Sequence, residues 1–150
     1  MAEGNAQGNA EGDVHQAIKR LHAAMNTLVS GDPSAIKALC SRRDDVTAFL
    51  GWGGYEKGWE HVSKRWDWAG EQFKGGGSVT YQNLTTIITS GLAYTTDIES
   101  IRVRLDGTDE PTQGSNRVTH IFRVEDGGWR LVHRHANRLE SQFKPSTRLG

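Results

Sequence analysis

The segment Arg117–His135 reads as two strands joined by a tight turn, and it constrains the fold more than any other stretch of the chain. Asp126-Gly127-Gly128 supplies the turn, because glycine accepts positive φ and aspartate tolerates it. Pairing Glu125 with Gly128 sets Val124 opposite Trp129, Phe122 opposite Leu131 and His120 opposite His133. Period-two geometry then places these six on one side of the sheet, with Val118 and His135 beside them. Arg117, Thr119, Arg123, Arg130 and Arg134 are expected on the other side. The inner face would be apolar near the turn and end in a cluster of three histidines. A half-buried face that ends in polar side chains is how a sheet begins to build a pocket.

The rest of the chain must supply what covers that face. Its 150 residues make one domain with room for a core. Charged residues make up 24% and balance to a net charge of zero, so there is no electrostatic footprint for nucleic acid or an acidic membrane surface. No apolar run is long enough to span a bilayer. The first residues lack a basic region followed by an apolar one, so they are not expected to act as a secretory signal. Residues 1–12 have little to pack and read as a disordered tail, and residues 139–150 as a second tail. Cys40 is the one cysteine, which excludes an internal disulfide or a multi-cysteine zinc site and fits a cytoplasmic location.

Val14, Ile18, Leu21, Met25 and Leu28 recur at helical spacing, with Asp13 placed to cap, predicting a helix over roughly 13–30. Gly31 ends it, and Asp32-Pro33 opens a short second helix to about Cys40. Residues 46–50 read as a short strand, followed by a glycine-punctuated loop carrying Trp52 and Tyr55. From Gly58 to Phe73 the period is helical again. Trp59, Val62, Trp66, Ala69 and Phe73 form one stripe; His61, Arg65, Trp68 and Gln72 form the next. After Gly75-Gly76-Gly77 the chain reads as strands over 78–89, 91–105 and 117–137, with a polar loop over 106–116. Helices first and strands after indicate an α+β fold: three N-terminal helices packed on a strongly curved antiparallel sheet. Long antiparallel strands twist, and such a sheet closed by helices leaves a conical pocket.

This order of elements resembles the SnoaL-like branch of the nuclear transport factor 2-like superfamily, whose members have a ketosteroid isomerase-like, cystatin-like fold. Three pieces carry the resemblance: residues 45–59, Gly91-Leu92-Ala93-Tyr94, and the terminal hairpin from Arg117 to His135. The domain so identified spans residues 13–138. The hairpin also resembles the association domain of calcium/calmodulin-dependent kinases. The resemblance implies a deep pocket and a homodimer formed through the sheet face, where the outward arginines lie. It does not imply one activity, because this fold hosts isomerases, hydrolases, cyclases, dehydratases and oligomerisation modules.

Lining up the hairpin with the ketosteroid isomerases places His120 where that family holds a pocket acid, and an imidazole can donate the same hydrogen bond to a developing enolate. Tyr94 is a second candidate hydroxyl donor. The alternative for each is a core side chain with a satisfied polar tip. The family's general-base carboxylate has no counterpart in residues 46–52, which argues against ketosteroid isomerase activity. Asp97 and Arg102 lie at odd spacing on one strand, so they face opposite sides unless a bulge intervenes, and an epoxide-hydrolase-like site is disfavoured. His133 and His135, with His120, have the spacing of a three-histidine zinc site, but spacing alone supports it and no metal is assigned.

The expected function is binding of a small, mostly apolar ligand without a cofactor, possible catalysis being of isomerase, lyase or hydrolase type. His120 and Tyr94 are the expected catalytic groups. Trp52, Tyr55, Arg65, Trp68, Thr96, Phe122 and His133 are the expected lining. The alternative is a non-catalytic dimerisation or interaction module resembling the kinase association domain. The named partners are thus a small-molecule ligand and a second copy of the chain, with no nucleic acid and no membrane.

Overall fold

Apolar side chains at helical spacing bury one face of the first helix, α1 (Ala2–Leu28), with Val14, Leu21, Met25 and Leu28 in the core. The computed structural model describes the backbone of residues 2–142 and the side chains of residues 13–142. The helix continues N-terminally past Asp13, which therefore lies inside it and does not cap it. Residues 2–12, read from the sequence as tail, prolong its backbone, since adding a turn to a formed helix is far easier than starting one. Most of the tail expected over 139–150 lies outside the described residues. Gly31, at φ 104°, ends the helix, and its N–H bonds the Leu28 carbonyl. Asp32 Oδ1 then accepts from the Ser34 N–H at 2.9 Å, opening α2 (Ser34–Leu39) as the aspartate-proline pair suggested.

The remaining elements are β1 (Thr47–Phe49), β2 (Glu56–Lys57), α3 (Trp59–Glu71), β3 (Ser78–Ile88), β4 (Leu92–Val103), β5 (Thr112–Glu125) and β6 (Gly128–Arg138). Three helices and six strands are thus present among the described residues, as α+β. The strands form one sheet in the order β2-β1-β6-β5-β4-β3. The sheet is mixed rather than purely antiparallel, because β1 runs parallel to β6. β5 also starts earlier than expected: Thr112 already pairs with Val103, so the connecting loop is shorter than 106–116.

Helix α3 buries Val62, Trp66 and Ala69, with Trp59 and Phe73 packed at the edge of the core. Asn26 of α1 holds the outer strand β3. Its Oδ1 accepts from the Val79 N–H and its Nδ2 donates to the Val79 carbonyl, both at 3.0 Å. An edge strand with its backbone groups so occupied is a poorer template for unwanted pairing. Among the described residues no helix is long and apolar enough to cross a membrane.

The terminal hairpin begins as the sequence predicts. Glu125 pairs with Gly128, Val124 with Trp129 and Phe122 with Leu131. Asp126 and Gly127 take φ of 52° and 81°, the positive values a two-residue primed turn demands. Trp129 is buried in the core. The register then shifts: Phe122 faces Leu131, but Ile121 faces His133, leaving Val132 as an extra residue. At the same point the Leu131 carbonyl accepts from the Ser41 N–H at 2.8 Å, outside the ladder.

That bulge corrects the expected faces. Beyond it, His120 pairs with Arg134 and Thr119 with His135. His133 and His135 leave the inner face, and Arg134 enters it. The three-histidine cluster is not formed, and among the described residues no group of three or more His, Cys, Asp or Glu side chains is placed to hold a metal ion.

Candidate functional site

Between α1, α3 and the inner face of the sheet lies a cavity of about 280 Å³. Its walls are apolar: Met25, Leu28 and Val29 from the end of α1, Trp66 and Ala69 from α3, Ile101 and Val103 from β4. Trp52 stands at the mouth, 47% exposed. Its ring meets Trp68 edge-on at 5.2 Å and Phe73 at 5.6 Å. The Arg65 guanidinium covers the other aromatic partner, 4.1 Å from the Trp68 ring, and its Nη2 donates to the Gly53 carbonyl at 3.3 Å. Trp52, Arg65 and Trp68 are therefore brought together, as one braced rim in which Trp52 reaches the cavity.

The inner end is polar. Asn116 and Arg134 line it, and behind them is a buried network. Arg134 Nη1 and Nη2 donate to Glu99 Oε2 and Oε1, each at 2.8 Å. Tyr81 Oη donates to Glu99 Oε2 at 2.7 Å, and Asn116 Nδ2 to Glu99 Oε1 at 3.1 Å. Arg134 Nη1 also lies 3.0 Å from His120 Nε2. A guanidinium has only donors, so Nε2 accepts and the proton of a neutral His120 sits on Nδ1. His120 and Glu99 are wholly inaccessible and Arg134 is 4% exposed. Beyond them, His22 of α1 stacks flat on Tyr81 at 4.0 Å.

Charge in this network is settled by burial and pairing together. Burial alone would raise the Glu99 carboxyl, but the Arg134 charge and the bonds from Arg134 and Tyr81 outweigh it and hold the group at about 2. Burial, reinforced by the Arg134 charge, pushes the His120 imidazole down to about 3. Burial and the neighbouring Glu99 raise the Tyr81 phenol. For Arg134, burial would lower the guanidinium, and Glu99 prevails in raising it. At neutral pH the network is one cation, one anion and neutral partners. Cys40 is not a second reactive centre, because burial pushes its thiol up to about 12.

The other expected site residues are dispersed. Tyr94 and Thr96 alternate with Ala93, Thr95, Asp97 and Glu99, which are buried on the inner face, so both lie on the outer face away from His120. His133 is on the outer face as well, where Thr47 Oγ1 lies 2.6 Å from its Nδ1 and Phe49 packs edge-on against it at 4.8 Å. Tyr55 is 74% exposed and meets Phe49 at 6.3 Å. Phe122 is on the inner face but belongs to the sealed core. His120 is on the inner face too, behind Arg134 rather than in the cavity wall. Asp97 is buried and Arg102 exposed on an unbulged stretch of the β4–β5 pairing, so they do face opposite sides.

Sequence reasoning missed Glu99, Tyr81, Asn116 and Arg134. One signal was available. If Ala93 and Val103 are inner, Glu99 is inner by parity, and a buried carboxylate requires a cation.

Three structural likenesses bear on the fold. A nuclear transport factor 2-like superfamily protein from Salmonella enterica serovar Typhimurium LT2 superposes with a TM-score of 0.74 at 15% identity, over 96% of this chain and 97% of that one. A candidate dehydratase of the same family from Streptomyces avermitilis gives 0.72 at 16%, over 89% and 99%. A candidate calcium/calmodulin-dependent protein kinase type II association domain from Thiobacillus denitrificans gives 0.67 at 22%, over 83% and 93%. At these identities they establish the fold and no activity. No curated protein matches the chain. The SnoaL-like domain model, however, matches residues 14–137, from the first buried valine of α1 to the end of the hairpin. By that match, and by the helices-on-sheet architecture it covers, the chain belongs to the SnoaL-like domain family.

Proposed function

We propose that the protein binds a small, mostly apolar ligand in the cavity between helices and sheet, its polar end against Arg134 and Asn116. The observation that carries this reading is the cavity itself: about 280 Å³, walled by aliphatic and aromatic side chains, with polar groups converging at one end. If turnover follows binding, the chemistry available at the inner end is polarisation of an acceptor by the Arg134 donors. His120 would act through Arg134, as a positioning residue, because it accepts from Nη1. The reading requires no cofactor.

Benzylacetone, an aromatic ketone small enough for this space, is a suitable probe. Titration followed by tryptophan fluorescence should give saturable binding, since Trp52 and Trp66 both line the cavity. Ile101→Trp, which fills the cavity from the sheet side, should abolish it. Absence of binding to the native protein, or equal binding to both, would sink the proposal.

A second reading, assembly through the outer face of the sheet, has its own support. Ile87 and Tyr94 are paired across β3 and β4 and are 45% and 38% exposed, with Leu92 49% exposed nearby. A homodimer would cover them, and so would the partner of a non-catalytic interaction module. In sedimentation velocity the native chain is expected as a dimer and Ile87→Glu as a monomer; a native protein that stays monomeric at its highest soluble concentration would refute the assembly.

A further inference from the structure

We infer that Glu99 sets the charge selectivity of the cavity: by cancelling Arg134, it makes the inner end a receptor for an uncharged carbonyl and a poor site for the carboxylate of the same shape. The inference rests on the ligand-binding reading above and adds to it which polar end is accepted, and why.

Arg134 is a buried charged side chain lining the cavity, and its donors can be counted. Nη1 gives one hydrogen to Glu99 and the other to His120, and Nη2 gives one to Glu99. What is left is the Nε hydrogen and the second Nη2 hydrogen. Nε is buried and has no hydrogen-bond partner among the described residues. In a planar guanidinium these two hydrogens lie parallel along one edge. A buried donor without an acceptor is costly, and a ligand oxygen that displaces the side chains sealing Nε from the cavity relieves it. Such an edge fits either a single carbonyl oxygen shared between both donors or the two oxygens of a carboxylate, so its geometry alone does not choose.

Charge does. The Arg134 cation is already matched, at two short bonds, by the Glu99 carboxylate. A ligand carboxylate would be a second anion out of water beside the first, facing the same single cation. The other groups around this end do not offset it. His120 is neutral and its Nδ1 carries a proton, Tyr81 keeps its phenol proton, and Arg138, the other cation lining the cavity, is exposed, where solvent screens its charge. A neutral carbonyl takes the free edge with no such penalty. Asn116 adds an acceptor: with Nδ2 given to Glu99, its Oδ1 is left for an N–H or O–H next to the ligand carbonyl.

Benzylacetone, hydrocinnamamide and hydrocinnamate share one skeleton and differ in a methyl, an amino group and a charged oxygen. Calorimetric titration at neutral pH should rank the ketone and the amide above the carboxylate by about tenfold or more. In Glu99→Gln the Arg134 charge is unmatched, and hydrocinnamate should become the tightest of the three. Hydrocinnamate binding the native protein as tightly as the amide would overturn the selectivity while leaving the cavity reading intact. Failure of all three to bind would remove both. The native comparison decides the selectivity even if the Glu99→Gln protein does not fold, and Glu99→Ala then tests its source; if either variant folds and keeps the native ranking, Glu99 is not the selecting group.

Discussion

Replacing Arg134 with methionine is expected to lower the unfolding free energy by about 3–5 kcal/mol, the usual cost of breaking a buried ion pair from one side. The loss does not come from the pair's net attraction, which is small after desolvation. It comes from stranding Glu99, which is wholly inaccessible and would keep only Tyr81 and Asn116 as donors. Stabilities of single domains are about 5–15 kcal/mol, so the variant should sit near the edge of folding. Adding Glu99→Leu should recover part of the loss: it removes the stranded carboxylate, but Tyr81, Asn116 and His120 are left without their partners. Urea unfolding of the two single variants and the double variant makes the cycle. A single-variant loss below about 1 kcal/mol would show that water reaches the pair.

The second large effect is expected in acid. His120 is held at about 3 in the folded chain against 6.5 for a free histidine. Over that window the unfolded chain binds the proton and the folded chain does not, so stability rises with pH and is lost as pH falls from 6.5 toward 3. One group contributes at most about 1.4 kcal/mol per pH unit. Glu99, held at about 2 against 4.5, adds a loss of the same sign only below 4.5. The interval from 6.5 down to 4.5 therefore isolates the histidines. His22 and His133 are also lowered by burial and share that slope. His120→Gln keeps an acceptor for Arg134 and should remove the His120 share. Urea midpoints measured across the interval test this; an unchanged slope would mean that His120 is protonated in the fold.

What the sequence made legible is what local chemistry decides. Asp126-Gly127 specifies its turn, so the hairpin was readable as far as Leu131. The α3 stripes sorted Trp66 into the core and Trp68 onto the rim, because burial there follows a simple period. The inner face of β4 was not readable, since it inverts the usual rule. Thr95, Asp97 and Glu99 are inside while Tyr94 is outside. Arg134 makes Glu99 tolerable there and Asn83 donates to Asp97, but Arg134 was itself placed on the wrong face. That misplacement descends from Val132, an extra residue that follows the Leu131 carbonyl bonded by Ser41, far away in sequence. No window of the hairpin contains that information.

Val132 has one more consequence. Side chains on a strand alternate, so holding Val132 out of the ladder rather than in it exchanges the two faces for everything beyond it. The polar end of the cavity is therefore encoded as much by register as by composition. Deleting a single codon at that position would leave every remaining side chain of the chain unchanged. The restored alternation would keep Arg134 inward and His133 and His135 outward, because Ile121–His133 and His120–Arg134 follow Phe122–Leu131 directly once the extra residue is gone. The opposite arrangement, with Arg134 outward and His133 and His135 inward, instead needs Val132 drawn into the ladder at unchanged length. Among relatives of this fold, a gap at the corresponding place in an alignment would remove the bulge and leave the interior chemistry as it is.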